Sequence, residues 1–374
     1  MSIFPNPRAD RNAKAPIGDH ARALAEIRTW PYYALTPLIR LDGLARGLGV
    51  GSIHYKDEAH RFGLRSFKAL GGAYAVLRVI QQHVAASSAD LRLGAHADIA
   101  QSITVTTATD GNHGRAVAWG ASQFGCRAVI YVPRACSPAR EHAIAGFGAQ
   151  VIRTTLDYDD TVRQCADDAK RNGWQVVTDT SWEGFEEIPK IVMEGYTVMA
   201  TEACEQIGES PTHVFVQAGV GGLAAAVCGH FPESRFIVVE PEHAAGLFAS
   251  ARAGRPERAP GEVHTVMAGL ECGEVSPIAW RILDRGADYF MTVRDSAVPP
   301  CLRLLAKSPH GDPSIFAGES AVAGLIALVD AARDPEARAL LQLGASSRIL
   351  LFGTEGITDP IIWRELIAQS DPLR

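Results

Sequence analysis

The chain has 374 residues, 47% hydrophobic and 21% charged, with a formal net charge of −6 at pH 7. That length and apolar content can bury two domains, and a mild negative charge without clustered Lys/Arg excludes a nucleic-acid footprint. Residues 1–8 lack the apolar core of a secretory signal and no run reaches the length of a membrane span, so the expected setting is cytoplasmic, away from any membrane. The seven cysteines form no CxxC pair and the histidines no HExxH spacing, so neither a disulfide framework nor a catalytic metal is expected.

In chain order, Pro5, Pro7 and Pro16 among polar residues predict an arm with little regular structure up to about residue 30. Beyond Thr36, short apolar runs alternate with amphipathic stretches. Strands are predicted at Ser52 to Tyr55, Ser102 to Thr106, Arg127 to Val132, Gln150 to Thr154, Gln175 to Val177, His213 to Gln217, Phe236 to Glu240, Tyr289 to Val293 and Arg348 to Phe352. Helices fall between them, among them Ser137 to Phe147, Ile188 to Gln206 and Glu319 to Ala332. This alternation predicts an α/β fold with open, mostly parallel sheets flanked by helices. Residues 254–261, rich in Gly, Pro and Arg, form the clearest loop of the second half.

Four segments carry chemistry. Lys68 sits in Arg65-Ser66-Phe67-Lys68-Ala69-Leu70-Gly71-Gly72, a lone lysine among small and apolar residues, whereas Lys14, Lys56, Lys170, Lys190 and Lys307 have polar neighbours and read as solvated. A partly desolvated amine loses its proton more easily and becomes a nucleophile toward an aldehyde; a stem laid on apolar surface with its head in water is the equal alternative. Thr106-Thr107-Ala108-Thr109-Asp110-Gly111-Asn112-His113-Gly114 lies between a strand and a helix, where free backbone N–H groups suit a substrate carboxylate. Gln217-Ala218-Gly219-Val220-Gly221-Gly222-Leu223 is a glycine turn of the kind that wraps a phosphate. The fourth, Leu350-Leu351-Phe352-Gly353-Thr354-Glu355-Gly356, is a buried strand that ends on a hydroxyl. All three turns fall at carboxyl ends of predicted strands, where open parallel sheets bind ligands. Gly219-Val220-Gly221-Gly222 lacks the GxGxxG spacing of a dinucleotide site and lies far into the chain, against a dehydrogenase.

In this order the segments resemble the fold type II pyridoxal-phosphate enzymes, the group of threonine and serine dehydratases and cysteine synthase. Within it, the resemblance sharpens to the diaminopropionate ammonia-lyases, through residues 107–115, through Asp179-Thr180-Ser181-Trp182-Glu183-Gly184-Phe185 with Ile188-Pro189, and through Thr354-Glu355-Gly356. It runs from about Tyr32 to the C-terminus. The resemblance implies pyridoxal 5'-phosphate as cofactor, with Lys68 as the Schiff-base lysine, Phe67 near the ring and Asn112 at its phenolic oxygen. Gly219, Val220, Gly221 and Gly222 would receive the phosphate, and Thr354 the pyridine nitrogen. Thr109, Asp110, Gly111 and His113 would face the substrate, His113 with a more structural part. It further implies a smaller domain, residues 63–179, set into a larger one made of 1–62 and 180–374, and a homodimer.

Asp110 is the sharpest pointer to a substrate, because the dehydratases commonly place a serine or another small residue there. As a residue it reads either as a base or ammonium partner, or as an Asx turn or helix cap. With Asp179 it gives two carboxylates, and the resemblance implies that each serves one isomer of the substrate. The implied reaction on this small amino acid is loss of ammonia from D- and L-2,3-diaminopropionate, giving pyruvate and a second ammonia. The alternative is a lyase or dehydratase acting on another β-substituted alanine: serine, threonine, hydroxyaspartate or an N-substituted diaminopropionate.

Overall fold

In the structure, a computed structural model, residues 1–109 and 111–369 are described. Its strands are β1 (Ser2–Pro5), β2 (Leu38–Arg40), β3 (Ser52–Asp57), β4 (Thr104–Ala108), β5 (Arg127–Val132), β6 (Gln150–Arg153), β7 (Gln175–Val176), β8 (His213–Gln217), β9 (Arg235–Pro241), β10 (Tyr289–Val293) and β11 (Arg348–Gly353). They form two sheets, one in each of two compact units.

The larger unit holds Met1–Pro16, Leu35–His60 and the chain from Ala200 onward. Its seven-stranded sheet runs β1-β10-β9-β8-β11-β3-β2. The five inner strands are mutually parallel, and β1 and β2 add antiparallel edges. Inner strands such as β8 are buried at every residue, as expected of a parallel sheet covered on both faces. One side packs on helix Ala323–Arg333, which, with a short 3-10 turn at Glu319–Val322, replaces the single helix predicted there.

The smaller unit holds Ile17–Ala34 and Arg61–Met199 around the four-stranded parallel sheet β6-β5-β4-β7. Helices Lys68–Gln81 and Asn112–Phe124 cross closely in it: a Cβ on Gly120 would lie 2.8 Å from the Ala73 Cα. β4 begins at Thr104 rather than Ser102, which ends helix Ala97–Ser102.

The division of the chain extends the smaller unit past the expected 63–179 at both ends. Trp30 joins an aromatic cluster with Phe62, Trp119 and Phe124, at 5.8, 6.0 and 5.5 Å between ring centroids. The first part of helix Glu187–Ile207 lies so close to the Lys68 helix that a Cβ on Gly195 would stand 2.0 Å from the Leu70 carbonyl oxygen. These are contacts between residues distant in sequence, and no local pattern announces them.

The same holds for the expected unstructured arm, which the structure corrects. Residues 2–5 pair with β10 in the register Ser2↔Thr292 to Pro5↔Tyr289. The Asn6 side-chain amide donates to the carbonyls of Asp284 and Ala287, each at 2.8 Å. Helix His20–Ile27 buries Ala23 and Ile27. Two lysines read as solvated are also buried. Lys14 Nζ ion-pairs with Asp288 at 2.8 Å and donates to the Ser234 carbonyl. Lys56, on β3, donates to Glu202, Gln206 and the Thr36 carbonyl at 2.8, 2.7 and 2.8 Å. Polar sequence neighbours misled here because the partners come from elsewhere in the chain.

At the crossing with the Lys68 helix, Gly195→Ala forces a methyl onto a backbone carbonyl that has no room to yield. The expected cost is about 1–3 kcal/mol, read as a lower midpoint in chemical denaturation with an unchanged slope.

Candidate active site

Lys68 is the first residue of its helix, directly after the buried Phe67. The chain enters through a loop in which Phe62 and Arg65 take left-handed φ values of 51° and 58°. Such strain in non-glycine residues persists only where surrounding contacts hold it, and it clusters at functional sites. Lys68 Nζ donates to Asp179 Oδ2 at 2.5 Å, with side chains 18% and 14% exposed. The ammonium also lies 5.3 Å from the Phe67 ring centroid and 5.6 Å from that of Tyr196. Of the two sequence readings of this lysine, the snorkelled stem is therefore absent: the amine turns to a carboxylate in a narrow, partly aromatic setting.

Burial alone would push the Asp179 carboxyl up. The Lys68 ammonium, the charge of His113 and the Lys68 hydrogen bond reverse this and hold it well below the usual carboxylate range. Asp179 is thus an ionised partner as long as the ammonium stays beside it. After Asp179, Trp182 and Phe185 close a tight turn, their backbones bonded at 3.2 and 2.9 Å and their rings stacked 4.2 Å apart.

The loop after β4 is organised by Thr109, whose Oγ1 accepts the N–H groups of Gly111 and Gly114 at 3.0 and 3.1 Å. Gly114 has to be glycine, since a Cβ would stand 2.2 Å from Thr109 Cγ2. Thr109 therefore shapes the turn with its hydroxyl oxygen. His113 Nε2 donates to the Val177 carbonyl at 2.9 Å, tying the helix start to the strand that leads to Asp179. Asn112 Oδ1 accepts from Arg115 Nη2 at 3.1 Å, which turns its amide N–H₂ the other way. Asp110 lies outside the described residues. Phe67, Lys68, His113 and Asp179 are thus drawn together within the smaller unit.

The larger unit carries the glycine turn and Thr354. β8 ends at Gln217, and Gly221, with φ 102°, opens helix Gly222–Cys228 without a side-chain cap. A Cβ on Gly219 would lie 3.0 Å from Cys272 Sγ, and one on Gly221 3.1 Å from the Ala279 Cβ. The turn is held by the Val220 carbonyl, which accepts from the Ser276 N–H at 2.9 Å, and by the Ala218 N–H on Val239. Uncapped N–H groups at such a turn are suited to a phosphate. Gln217 Nε2 donates both to the Phe352 carbonyl at 2.7 Å and to Thr354 Oγ1 at 2.8 Å. With its oxygen accepting from the amide, the buried Thr354 hydroxyl is set as a donor in another direction. Each set suits a part of pyridoxal phosphate: the smaller unit offers a primary amine, and the larger unit offers a glycine turn with tight neighbours at Gly219 and Gly221 and a hydroxyl oriented to donate.

Two further residues of these clusters carry no local signal of their own in the sequence. Gln217 is the last residue of a buried apolar strand, where nothing local marks its contact with Thr354. Tyr196, on helix Glu187–Ile207, has no solvent exposure and looks like core in an apolar helix. The signal that marks it is the small residue beside it, Gly195, together with Gly71 on the facing helix. Among the described residues no cluster of His, Cys, Asp and Glu gathers to hold a metal, and no helix is long and apolar enough to cross a membrane.

A family model described as pyridoxal-phosphate dependent enzyme matches residues 29–352. The chain is similar to the diaminopropionate ammonia-lyase of Escherichia coli (strain K12), 41% identical over 349 residues that cover 90% of this chain and 87% of the relative. It is also similar to that of Salmonella typhimurium (strain LT2), 40% identical over 365 residues covering 92% and 90%. The crystal structure of the holo Escherichia coli diaminopropionate ammonia lyase superposes with a TM-score of 0.90 at 37% identity, covering 98% of this chain and 96% of that one. Threonine deaminase isoform 2 from Solanum lycopersicum, 20% identical with a TM-score of 0.74 over 99% and 98% of the two chains, shares the fold. The chain belongs to the diaminopropionate ammonia-lyases, a fold type II family of pyridoxal-phosphate-dependent carbon–nitrogen lyases.

Proposed function

We propose that this chain eliminates ammonia from both D- and L-2,3-diaminopropionate and delivers pyruvate, with Lys68 and Asp179 as the reacting pair. The observation that carries this reading is the 2.5 Å contact between Lys68 Nζ and Asp179 Oδ2 inside a partly closed aromatic setting. Lys68 would hold the cofactor through its amine, Phe67 and Asn112 would border its ring, and Gly219, Val220, Gly221 and Gly222 would take its phosphate. Thr354 would donate to its ring nitrogen. Bound pyridoxal phosphate supplies the electron sink for the pair left when the substrate's α C–H bond breaks.

The protein's own residues move the protons. Asp179 is a poor base while the Lys68 ammonium lies on it. When that amine moves off, burial is left as the dominant influence and raises the carboxyl's hold on a proton. Base strength thus appears at the moment the lysine is displaced. An amine leaves well only as ammonia from a protonated nitrogen, so a proton held by this pair has a second use at the β-nitrogen. Loss of the α-proton and of ammonia releases 2-aminoacrylate, which hydrolyses to pyruvate and a second ammonia.

The reading of two isomers assigns Asp179 to one and Asp110 to the other. A solved structure of the Escherichia coli relative is a complex with D-serine and another holds an aminoacrylate–PLP azomethine reaction intermediate; this chain is proposed to accept D-configured amino acids likewise. The same reading carries a homodimer in a cytoplasmic setting.

The direct test is pyruvate release by the holoenzyme from D- and L-2,3-diaminopropionate, with D- and L-serine as comparators. Turnover of both diaminopropionate isomers is expected, with a loss of at least about 10³-fold in Lys68→Ala. Asp179→Asn is expected to lower turnover of one isomer by about 10²- to 10⁴-fold and to spare the other. Faster release from serine than from diaminopropionate would move the substrate to β-hydroxy amino acids.

Stability gives a separate check on the pair. The folded Asp179 pKa is depressed, so its contribution is present above the ordinary carboxylate pKa and is lost as pH falls through the folded value. In Lys68→Ala the carboxylate stays largely out of water without its ammonium, and the depression of its pKa is lost. The variant is therefore expected to lose about 2–3 kcal/mol at pH 7, and the deficit to shrink toward pH 4 as that carboxyl takes up a proton. Denaturant unfolding of the cofactor-free proteins at both pH values measures it.

A further inference from the structure

Tyr196 lies in the part of helix Glu187–Ile207 that belongs to the smaller unit, and it is fully buried. Its ring is held on two sides. The Phe67 ring stands 4.7 Å away, centroid to centroid, tilted by 55°. On the Lys68 helix, Gly71 leaves the space: a Cβ there would fall 2.4 Å from Tyr196 Cε1. Gly195 in turn brings the two backbones together at Leu70. The phenol is thus fixed in place by two glycines and an aromatic ring, with its hydroxyl 3.5 Å from Asp179 Oδ2. That is the oxygen which Lys68 Nζ holds at 2.5 Å.

We infer that Tyr196 is a positioning residue that takes over Asp179 when the Lys68 amine moves off it, keeping the carboxylate aimed and ionised for proton transfer. The inference rests on the reading of Lys68 and Asp179 as the reacting pair. At 3.5 Å the hydroxyl is at the outer limit of a hydrogen bond and contributes little while the ammonium satisfies the oxygen. Once the ammonium is gone, a carboxylate oxygen largely out of water has lost its main donor at a cost in free energy, and the released carboxylate can close the gap of about 1 Å to the fixed phenol. Burial first, and the charge of Asp179 with it, push the Tyr196 phenol above its ordinary value, so it stays protonated and able to donate.

The other charged groups acting on Asp179 among the described residues are Lys68 and His113. His113 has its Nε2 on the Val177 carbonyl and acts through its charge. A donor to the ionised form lowers a carboxyl pKa; removing it raises the pKa, so the acid limb of the rate profile moves up.

The test compares Tyr196→Phe, which keeps the ring and removes the hydroxyl, with wild-type holoenzyme. With the isomer whose turnover depends on Asp179, the acid limb of kcat against pH is expected to rise by about one unit, with kcat at neutral pH down about tenfold and KM within about threefold. Without substrate, the acid-side midpoint of the bound cofactor's absorbance is expected to move up by about half a unit. Site-specific 3-fluorotyrosine at position 196, a stronger donor of nearly the same shape, should move both midpoints down, and it decides the matter by itself where Tyr196→Phe does not fold. Unmoved midpoints in folded Tyr196→Phe overturn the inference, whether or not kcat falls, because ring packing alone would leave them in place. Asp179→Asn, run in parallel, separates the two levels. If it turns over both isomers at the wild-type rate, the pair reading itself fails; if it is impaired while Tyr196→Phe matches wild type in rate and profile, only the part of Tyr196 falls.

Discussion

The ion pair between Lys68 and Asp179 is the interaction on which the rest of the site depends. Two other lysines of this chain also meet carboxylates out of water, and the contrast shows what is particular to Lys68. Lys56 and Glu202 are both without side-chain exposure, and the lysine is further fixed by Gln206 and the Thr36 carbonyl. Such a pair offsets its desolvation by complete coordination and gains fixed geometry. Lys14 is likewise without side-chain exposure and fixed by Asp288 and the Ser234 carbonyl, although Asp288 itself is 17% exposed. Lys68 and Asp179 keep partial exposure, 18% and 14%, and lie beside rings that attract a cation more weakly than a carboxylate does. The proposed role of Lys68, in which the amine gives up its proton and changes partner, calls for that partial exposure.

Holding a loose pair in register requires rigidity one layer further out, and glycine provides it. Gly71 and Gly195 let the Lys68 helix and helix Glu187–Ile207 approach until side chain meets backbone, while Gly120 of helix Asn112–Phe124 does the same against Ala73 of the Lys68 helix. Each lacks a Cβ where the neighbour is a backbone atom or a ring with no room to move. The start of the Lys68 helix is thereby fixed by packing, and only the lysine's own flexible chain remains adjustable. The strained loop before it, with left-handed Phe62 and Arg65, is tolerated because Phe62 is anchored between Trp30 and Trp119.

What the sequence made legible follows the range of the interactions. Lys68, the glycine turn and Thr354 sit in short segments that are ambiguous one by one and that their order along the chain, through the family resemblance, singles out together. Most of the strands were legible locally, because buried parallel strands are continuous apolar runs. Lys14, Lys56, the edge strand Ser2–Pro5 and the extra segments of the smaller unit were not. Their partners lie hundreds of residues away in some cases, as with Lys14 and Asp288, and polar neighbours in sequence say nothing about partners in space. Tyr196 was missed for the opposite reason: an aromatic residue in an apolar helix already has a sufficient explanation as core, and only the glycine facing it shows that its position is set by something more.

Gln217 carries the last step. An amide cannot take up or release a proton in this pH range, so its N–H₂ on Thr354 Oγ1 fixes the hydroxyl as a donor and nothing else. The Phe352 carbonyl on the same nitrogen keeps the amide from turning over. Under the proposed assignment, Thr354 would offer the cofactor's ring nitrogen a neutral donor rather than a charged partner, and the cofactor so held would supply a moderate electron sink of the kind that suits elimination. Under that assignment, the Lys68–Asp179 pair and the Gln217–Thr354 contact would serve the same outcome from different parts of the chain: elimination at the β-position, with proton supply governed by where the lysine's amine lies.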